Sequence, residues 1–250
     1  MFFLPINRDR PPEHTPYVTW SLIVANSAIW IVLTFSGLNN QVIQEYGLRP
    51  AHWTVATLLA HMFLHVGLLH VAGNMWFLWM FAPKLEERLG EVKFTLAYLV
   101  SGVGAAGLHS LIGHGSTVPL VGASGAISGV AGMYFLLFPR SPFDLIFYLG
   151  WLRLKTFNCL TRVAVGVWIG EQLAWGLITS SRAGSGVAFW AHVGGFVTGL
   201  AIGGAVTTQA NEEERRAILR PPPLTAEERD ELSADRVEQE SGITSLKLNG

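Results

Sequence analysis

Val121-Gly122-Ala123-Ser124-Gly125-Ala126-Ile127-Ser128-Gly129-Val130-Ala131-Gly132 places a serine between small residues at the mouth of an apolar segment that runs on to Phe138. A second stretch answers it: Ala191-His192-Val193-Gly194-Gly195-Phe196-Val197-Thr198-Gly199. Each opens a hydrophobic helix. In the first helix Gly125, Gly129 and Gly132 share a face, with Ser124 and Ser128 beside it. In the second, His192 falls on the same face as Gly195, Gly199 and Gly203. Small residues at such spacing let two membrane helices approach closely. A hydroxyl and an imidazole at the rims of two glycine-faced helices are therefore expected to meet. Plain helix packing accounts for the glycines equally well, since such stripes also occur in transporters.

The composition fits a membrane protein. The chain has 250 residues, of which 50% are hydrophobic and 14% charged, and its mean hydropathy is +0.36. Soluble domains carry about 25% charged residues. The net charge of −1 offers no basic patch, so no nucleic-acid partner is expected. Cys159 is the single cysteine, which excludes an intrachain disulfide and reads as a packed or cytoplasmic thiol. The segment from Met1 to Pro16 does not read as a cleaved signal peptide.

A bilayer-spanning helix needs about 20 mostly apolar residues. Six segments qualify: Tyr17 to Ser36, Leu68 to Phe81 closed by Pro83, Phe94 to Ile112, Ser124 to Phe138, Val163 to Ser180 and Ala188 to Val206. All of the seventeen Lys and Arg residues except Arg49 and Arg182 fall on one side of this arrangement. The positive-inside rule then puts both termini in the cytoplasm, and an even number of spans agrees. Ser124 and His192 fall at extracytoplasmic helix ends. Trp53 to Leu59 and Asp144 to Leu154 read as interfacial stretches. The expected organisation is a cytoplasmic segment 1–16, a six-helix membrane domain 17–206 and a polar cytoplasmic tail 207–250. In the tail, Leu224-Thr225-Ala226-Glu227-Glu228 has the form of a capping box opening a short helix.

A serine hydroxyl is a poor nucleophile until a base takes its proton. His192 is the candidate base. Acyl transfer also needs donors for the oxyanion. His70 and Asn74, at i and i+4 on the second helix, supply two, and the Ser124 amide at a helix N-terminus supplies a third. A polar pair that merely joins two helices is the structural alternative for His70 and Asn74. His61, His65 and His70 also suggest a metal site, but no acidic residue completes the His-Glu-x-x-His pattern, so no metal or other cofactor is expected. Glu171 is the one carboxylate well inside a span and is expected to face protein rather than lipid.

Together, Gly122-Ala123-Ser124-Gly125, the histidine in Ala191-His192-Val193-Gly194-Gly195, and His61…His65…His70-Val71-Ala72-Gly73-Asn74 resemble the rhomboid intramembrane proteases. Glu86-Glu87-Arg88-Leu89-Gly90 is similar to the Glu-x-Arg-hydrophobic-Gly turn of that family. The resemblance covers roughly Leu48 to Gly204. It implies an all-α, six-helix integral membrane bundle and a Ser–His dyad without a third acidic member. It also implies cleavage of membrane-anchored protein substrates near the surface of the lipid bilayer. Carried over by position, Ser124 is the nucleophile, His192 the general base and acid, and His70, Asn74 and the Ser124 amide form the oxyanion hole. Two departures stand out. Ser128 replaces the aromatic residue that in some members stacks on the histidine, and Arg49 is the only basic residue of the first loop. The other readings are a polytopic transporter and an inactive rhomboid-like binder of membrane helices. Oligomeric state is not legible.

Overall fold

The computed structural model describes residues 2–8, 10–149, 152–179 and 189–209. Long apolar runs become helices: α1 (Tyr17–Phe35), α4 (Leu68–Leu89), α5 (Glu91–Ile112), α6 (Ser124–Leu137), α7 (Thr161–Thr179) and α8 (Phe189–Gln209). Two short helices, α2 (Asn39–Tyr46) and α3 (Val55–Ala60), and a 3-10 turn His61–Phe63 lie in the first loop. Among the described residues three helices, α1, α5 and α8, are long and apolar enough to cross a membrane. A fourth span forms if α3 with its 3-10 turn and α4, bent by 89°, count as one. At 1.5 Å per residue, the 14-residue α6 is only about 21 Å long, short of the ~30 Å hydrocarbon core. The chain is a multi-pass membrane protein.

The expectation of an all-α chain is corrected. Phe2–Asn7 (β1), Pro142–Leu149 (β2) and Leu152–Leu160 (β3) form a three-stranded antiparallel sheet in the order β1-β2-β3. The apolar, short stretch from Asp144 to Leu154 has the composition of an interfacial segment. Its backbone donors and acceptors instead pair with both flanking strands, which a half-polar loop near a membrane surface needs. Phe143 stacks on Phe81 of α4 with ring centroids 5.9 Å apart. Asn7 donates from Nδ2 to the Met80 carbonyl at 3.1 Å and the Tyr134 hydroxyl at 2.8 Å. The sheet thus closes one end of the bundle, and it brings the N-terminal segment and the α6–α7 connection to the same end. Cys159 sits in β3 as a half-buried free thiol. Burial, and then the charge of Asp144, push its pKa up, which keeps it an inert thiol.

Pro83 does not close the second long helix. It lies inside α4, which continues to Leu89. An internal proline costs about 3 kcal/mol. The turn beyond it recovers that through Leu85, fully buried, and Glu86, 4% exposed. The Glu86 carboxylate accepts from Val18 N at 2.8 Å, Thr19 N at 2.8 Å and Thr19 Oγ at 2.7 Å. The two N–H groups belong to the first turn of α1, which has no side-chain cap of its own. Gly90, at φ 77°, then turns the chain into α5 in a conformation that favours glycine. The last helix runs three residues past the expected boundary at 206. The tail beyond Gln209, its capping box included, and the α7–α8 connection with Arg182 lie outside the described residues.

Glu86→Ala should therefore lower stability by about 2–4 kcal/mol, since it strands buried donors at the start of α1. Glu87→Ala, whose carboxylate accepts from the exposed Glu13 amide, should stay within about 0.5 kcal/mol of wild type. Thermal unfolding in detergent measures both.

Candidate active site

The two glycine-faced helices do meet. A Cβ placed on Gly195 would run into the Gly125 carbonyl oxygen, and one on Gly199 into the Gly129 carbonyl oxygen. A Cβ on Gly132 would likewise strike the Phe196 carbonyl. Backbone thus lies on backbone along α6 and α8. At the upper end of this contact the Ser124 hydroxyl and His192 Nε2 are 2.9 Å apart. That separation is ordinary hydrogen-bond reach for a nucleophile and its base.

The loop before α6 is held by other parts of the chain. Leu48 and Leu120 form a two-way bridge, with N–H to carbonyl distances of 3.0 and 2.7 Å. Gly122 N donates to the His61 carbonyl at 2.8 Å. Gly122 has φ 116°, a conformation that side chains other than hydrogen rarely adopt. It also has no room for one: a Cβ there would meet His70 Nε2 at 2.7 Å and Asn74 Nδ2 at 3.6 Å. His70 and Asn74, one turn apart on α4, therefore converge on the backbone two residues ahead of Ser124. Among the described residues Asn74 Nδ2 and His70 Nδ1 are buried without a hydrogen-bond partner, and it is His70 Nε2 that faces Gly122. An orphaned buried amide donor costs about 1–3 kcal/mol. Ser124 is the first residue of α6, and its N–H is among those that no helical carbonyl can take.

Of the three histidines of the first loop and α4, His61 bonds through Nδ1 to the Thr57 carbonyl at 3.1 Å, and His65 packs edge-on against His70 at 5.0 Å. Among the described residues no three His, Cys, Asp or Glu side chains gather to hold a metal ion. Arg49 is engaged away from the serine, with the Thr117 carbonyl and the Gln44 side chain.

Two residues at the site escaped the sequence reading. His192 Nδ1 lies 2.7 Å from Gln172 Oε1 on α7, and Trp168, one turn earlier, tilts against the imidazole with centroids 6.0 Å apart. Ser128, by contrast, turns its hydroxyl to the Ser124 carbonyl at 2.6 Å. The available signal was an amide four residues beyond a tryptophan in an apolar helix, but nothing local says which neighbour that face meets. Glu171 is exposed, and it helps line an apolar cavity of about 330 Å³ between α4, α6, β2 and α7, with Phe77, Phe81, Phe143 and Trp168.

Residues 52–209 match the family model of the Rhomboid domain. Among similar proteins, the human presenilin-associated rhomboid-like protein, mitochondrial, is 28% identical over 186 residues, covering 72% of this chain and 45% of that protein. Rhomboid protein 1, mitochondrial, of Saccharomyces cerevisiae is 25% identical over 227 residues, 82% of this chain and 61% of that one. YdcA of Bacillus subtilis, provisionally named a rhomboid protease, is 32% identical over 130 residues, 49% of this chain and 62% of its own. The chain spans about half the length of the curated relatives it matches.

The packing makes one sharp contrast. Gly199→Ala should destabilise the protein by about 1–3 kcal/mol, because its methyl group meets backbone that has no rotamer to change. Gly204→Ala, on the same helix with nothing within 4 Å, should leave the melting temperature in detergent unchanged.

Proposed function

The chain belongs to the rhomboid family, and from that premise we propose that it is an intramembrane serine endopeptidase acting on membrane-anchored protein substrates. The observation that carries the reading is the 2.9 Å contact between Ser124 Oγ and His192 Nε2, made across two helices with no side chain between them. In this reading Ser124 is the nucleophile and His192 the general base and acid. His70, Asn74 and the Ser124 amide hold the oxyanion. His192 Nε2 takes the Ser124 proton, and Oγ attacks the scissile carbonyl carbon. The carbonyl oxygen becomes an oxyanion beside Gly122, which the unpartnered Asn74 Nδ2 and the His70 Nε2 both approach. Nε2–H then protonates the leaving amine, the C–N bond breaks, and water repeats the sequence on the acyl-enzyme. A substrate helix must unwind at the cleaved bond, since a helical carbonyl is already hydrogen-bonded.

The shortness of α6 supports the placement of this chemistry below the membrane surface. A helix about 21 Å long that ends near one surface begins about 10 Å beneath the other. Water then reaches Ser124 through an opening over the helix starts rather than through lipid. The excess of Lys and Arg at the sheet end of the bundle supports a cytoplasmic location for both termini, and hence an extracytoplasmic location for the dyad. The organisation we propose is a membrane domain between residues 17 and 206, followed by a polar tail.

Ser124→Ala and His192→Ala should each abolish cleavage of a panel of single-span substrates by the purified protein while leaving it folded. Asn74→Ala should retain activity at about 10⁻² to 10⁻³ of the wild-type rate, because the other donors remain. Cleavage by Ser124→Ala near the wild-type rate would refute the mechanism. For topology, a reporter fused after Asn211 should score as cytoplasmic and one inserted near Gly184 as extracytoplasmic. The reverse pattern would put the site on the other face.

A further inference from the structure

We infer that Gln172 is the positioning residue for His192, so that α7 supplies a third, uncharged member of the site. The inference rests on the proposed dyad and specifies how its base is held. An imidazole can accept the Ser124 proton at Nε2 only in the tautomer that carries hydrogen on Nδ1. That hydrogen needs an acceptor, because the site lies among apolar helices. Gln172 Oε1 stands 2.7 Å from Nδ1, so Nδ1–H donates to the amide carbonyl and the Nε2 lone pair faces Ser124. As the ring becomes cationic during proton transfer, this bond becomes charge-assisted and strengthens.

The rest of the geometry agrees. Trp168, one turn earlier on α7, lies against the imidazole at 6.0 Å and restricts ring rotation. Gly176, one turn later, packs against Trp190 and Phe189 at the start of α8. Residues 168, 172 and 176 thus form one face of α7 that grips the opening of α8. Helix α6 gives the imidazole no such support, since the Ser128 hydroxyl is committed to the Ser124 carbonyl. The titratable groups facing His192 from its neighbours are His70 of α4 and His109 of α5, with Glu171 next to Gln172 on α7. None of these makes the Nδ1 contact, so the tautomer depends on one amide.

The experiment compares wild type, Ser124→Ala, Gln172→Leu and Gln172→Glu as full chains in liposomes. Two rates are read: cleavage of a single-span substrate, and phosphonylation of Ser124 by a fluorophosphonate probe. Gln172→Leu should lose about 10²-fold in kcat with KM unchanged, and phosphonylation should slow in parallel, since a base unheld in its tautomer forfeits most of its contribution. Gln172→Glu keeps an acceptor at Nδ1. It should recover most of the lost turnover and move the acid limb of the kcat/KM profile upward by about one to three pH units, because a carboxylate stabilises the imidazolium. A role confined to packing would not move that limb. Gln172→Leu that cleaves and is phosphonylated within about threefold of wild type would overturn the inference while sparing the dyad. Gln172→Glu as slow as Gln172→Leu with an unmoved acid limb would overturn it too. Wild type no faster than Ser124→Ala would overturn the proposed function, and this inference with it.

Discussion

Everything at the site depends on the contact between α6 and α8, where backbone touches backbone. Gly195 and Gly199 lie against the carbonyls of Gly125 and Gly129, so the two helix axes come closer than any side chain permits. A short serine side chain and an imidazole can then reach each other from separate helices. Inside lipid, helices gain little from hydrophobic burial against one another, and close van der Waals packing carries the association. The same contact that stabilises the pair therefore sets the distance between Ser124 and His192.

That contact fixes two groups, while the surroundings fix the others. The backbone bond from Gly122 N to the His61 carbonyl ties the approach to α6 into the first loop, and this aims His70 and Asn74 at the turn before Ser124. At the opposite end, Glu86 caps α1 and the three-stranded sheet joins β1 to the α6–α7 connection. Near Ser124, Gly122 at φ 116° adopts a backbone that only glycine takes readily, and Asn74 Nδ2 is buried without a hydrogen-bond partner among the described residues. At the far end the Glu86 carboxylate accepts three hydrogen bonds from the start of α1.

The helices were legible because an apolar run near 20 residues has few alternatives in lipid. The sheet was not. Residues 142–160 mix apolar and polar side chains without a clean period, and the third strand, β1, pairs with β2 from the far N-terminus, Phe2 opposite Tyr148, so no local pattern announces that pairing. Pro83 misled because a proline usually ends a helix. Here the buried contacts of Leu85 and Glu86 outweigh it, and those contacts lie on another helix.

Residue type and spacing alone determined that Ser124 and His192 open two helices with glycine faces, and that His70 and Asn74 share a face. These are facts of a 3.6-residue period and need no knowledge of neighbours. Only the tertiary structure decided which faces touch. Gln172 is the clearest case: its helix is periodic in the ordinary way, but its rotation relative to α8 decides whether the amide meets His192 or lipid. Helix rotation is set by the sum of packing contacts along the whole interface, such as Gly176 against Trp190, and no short stretch of sequence contains that sum.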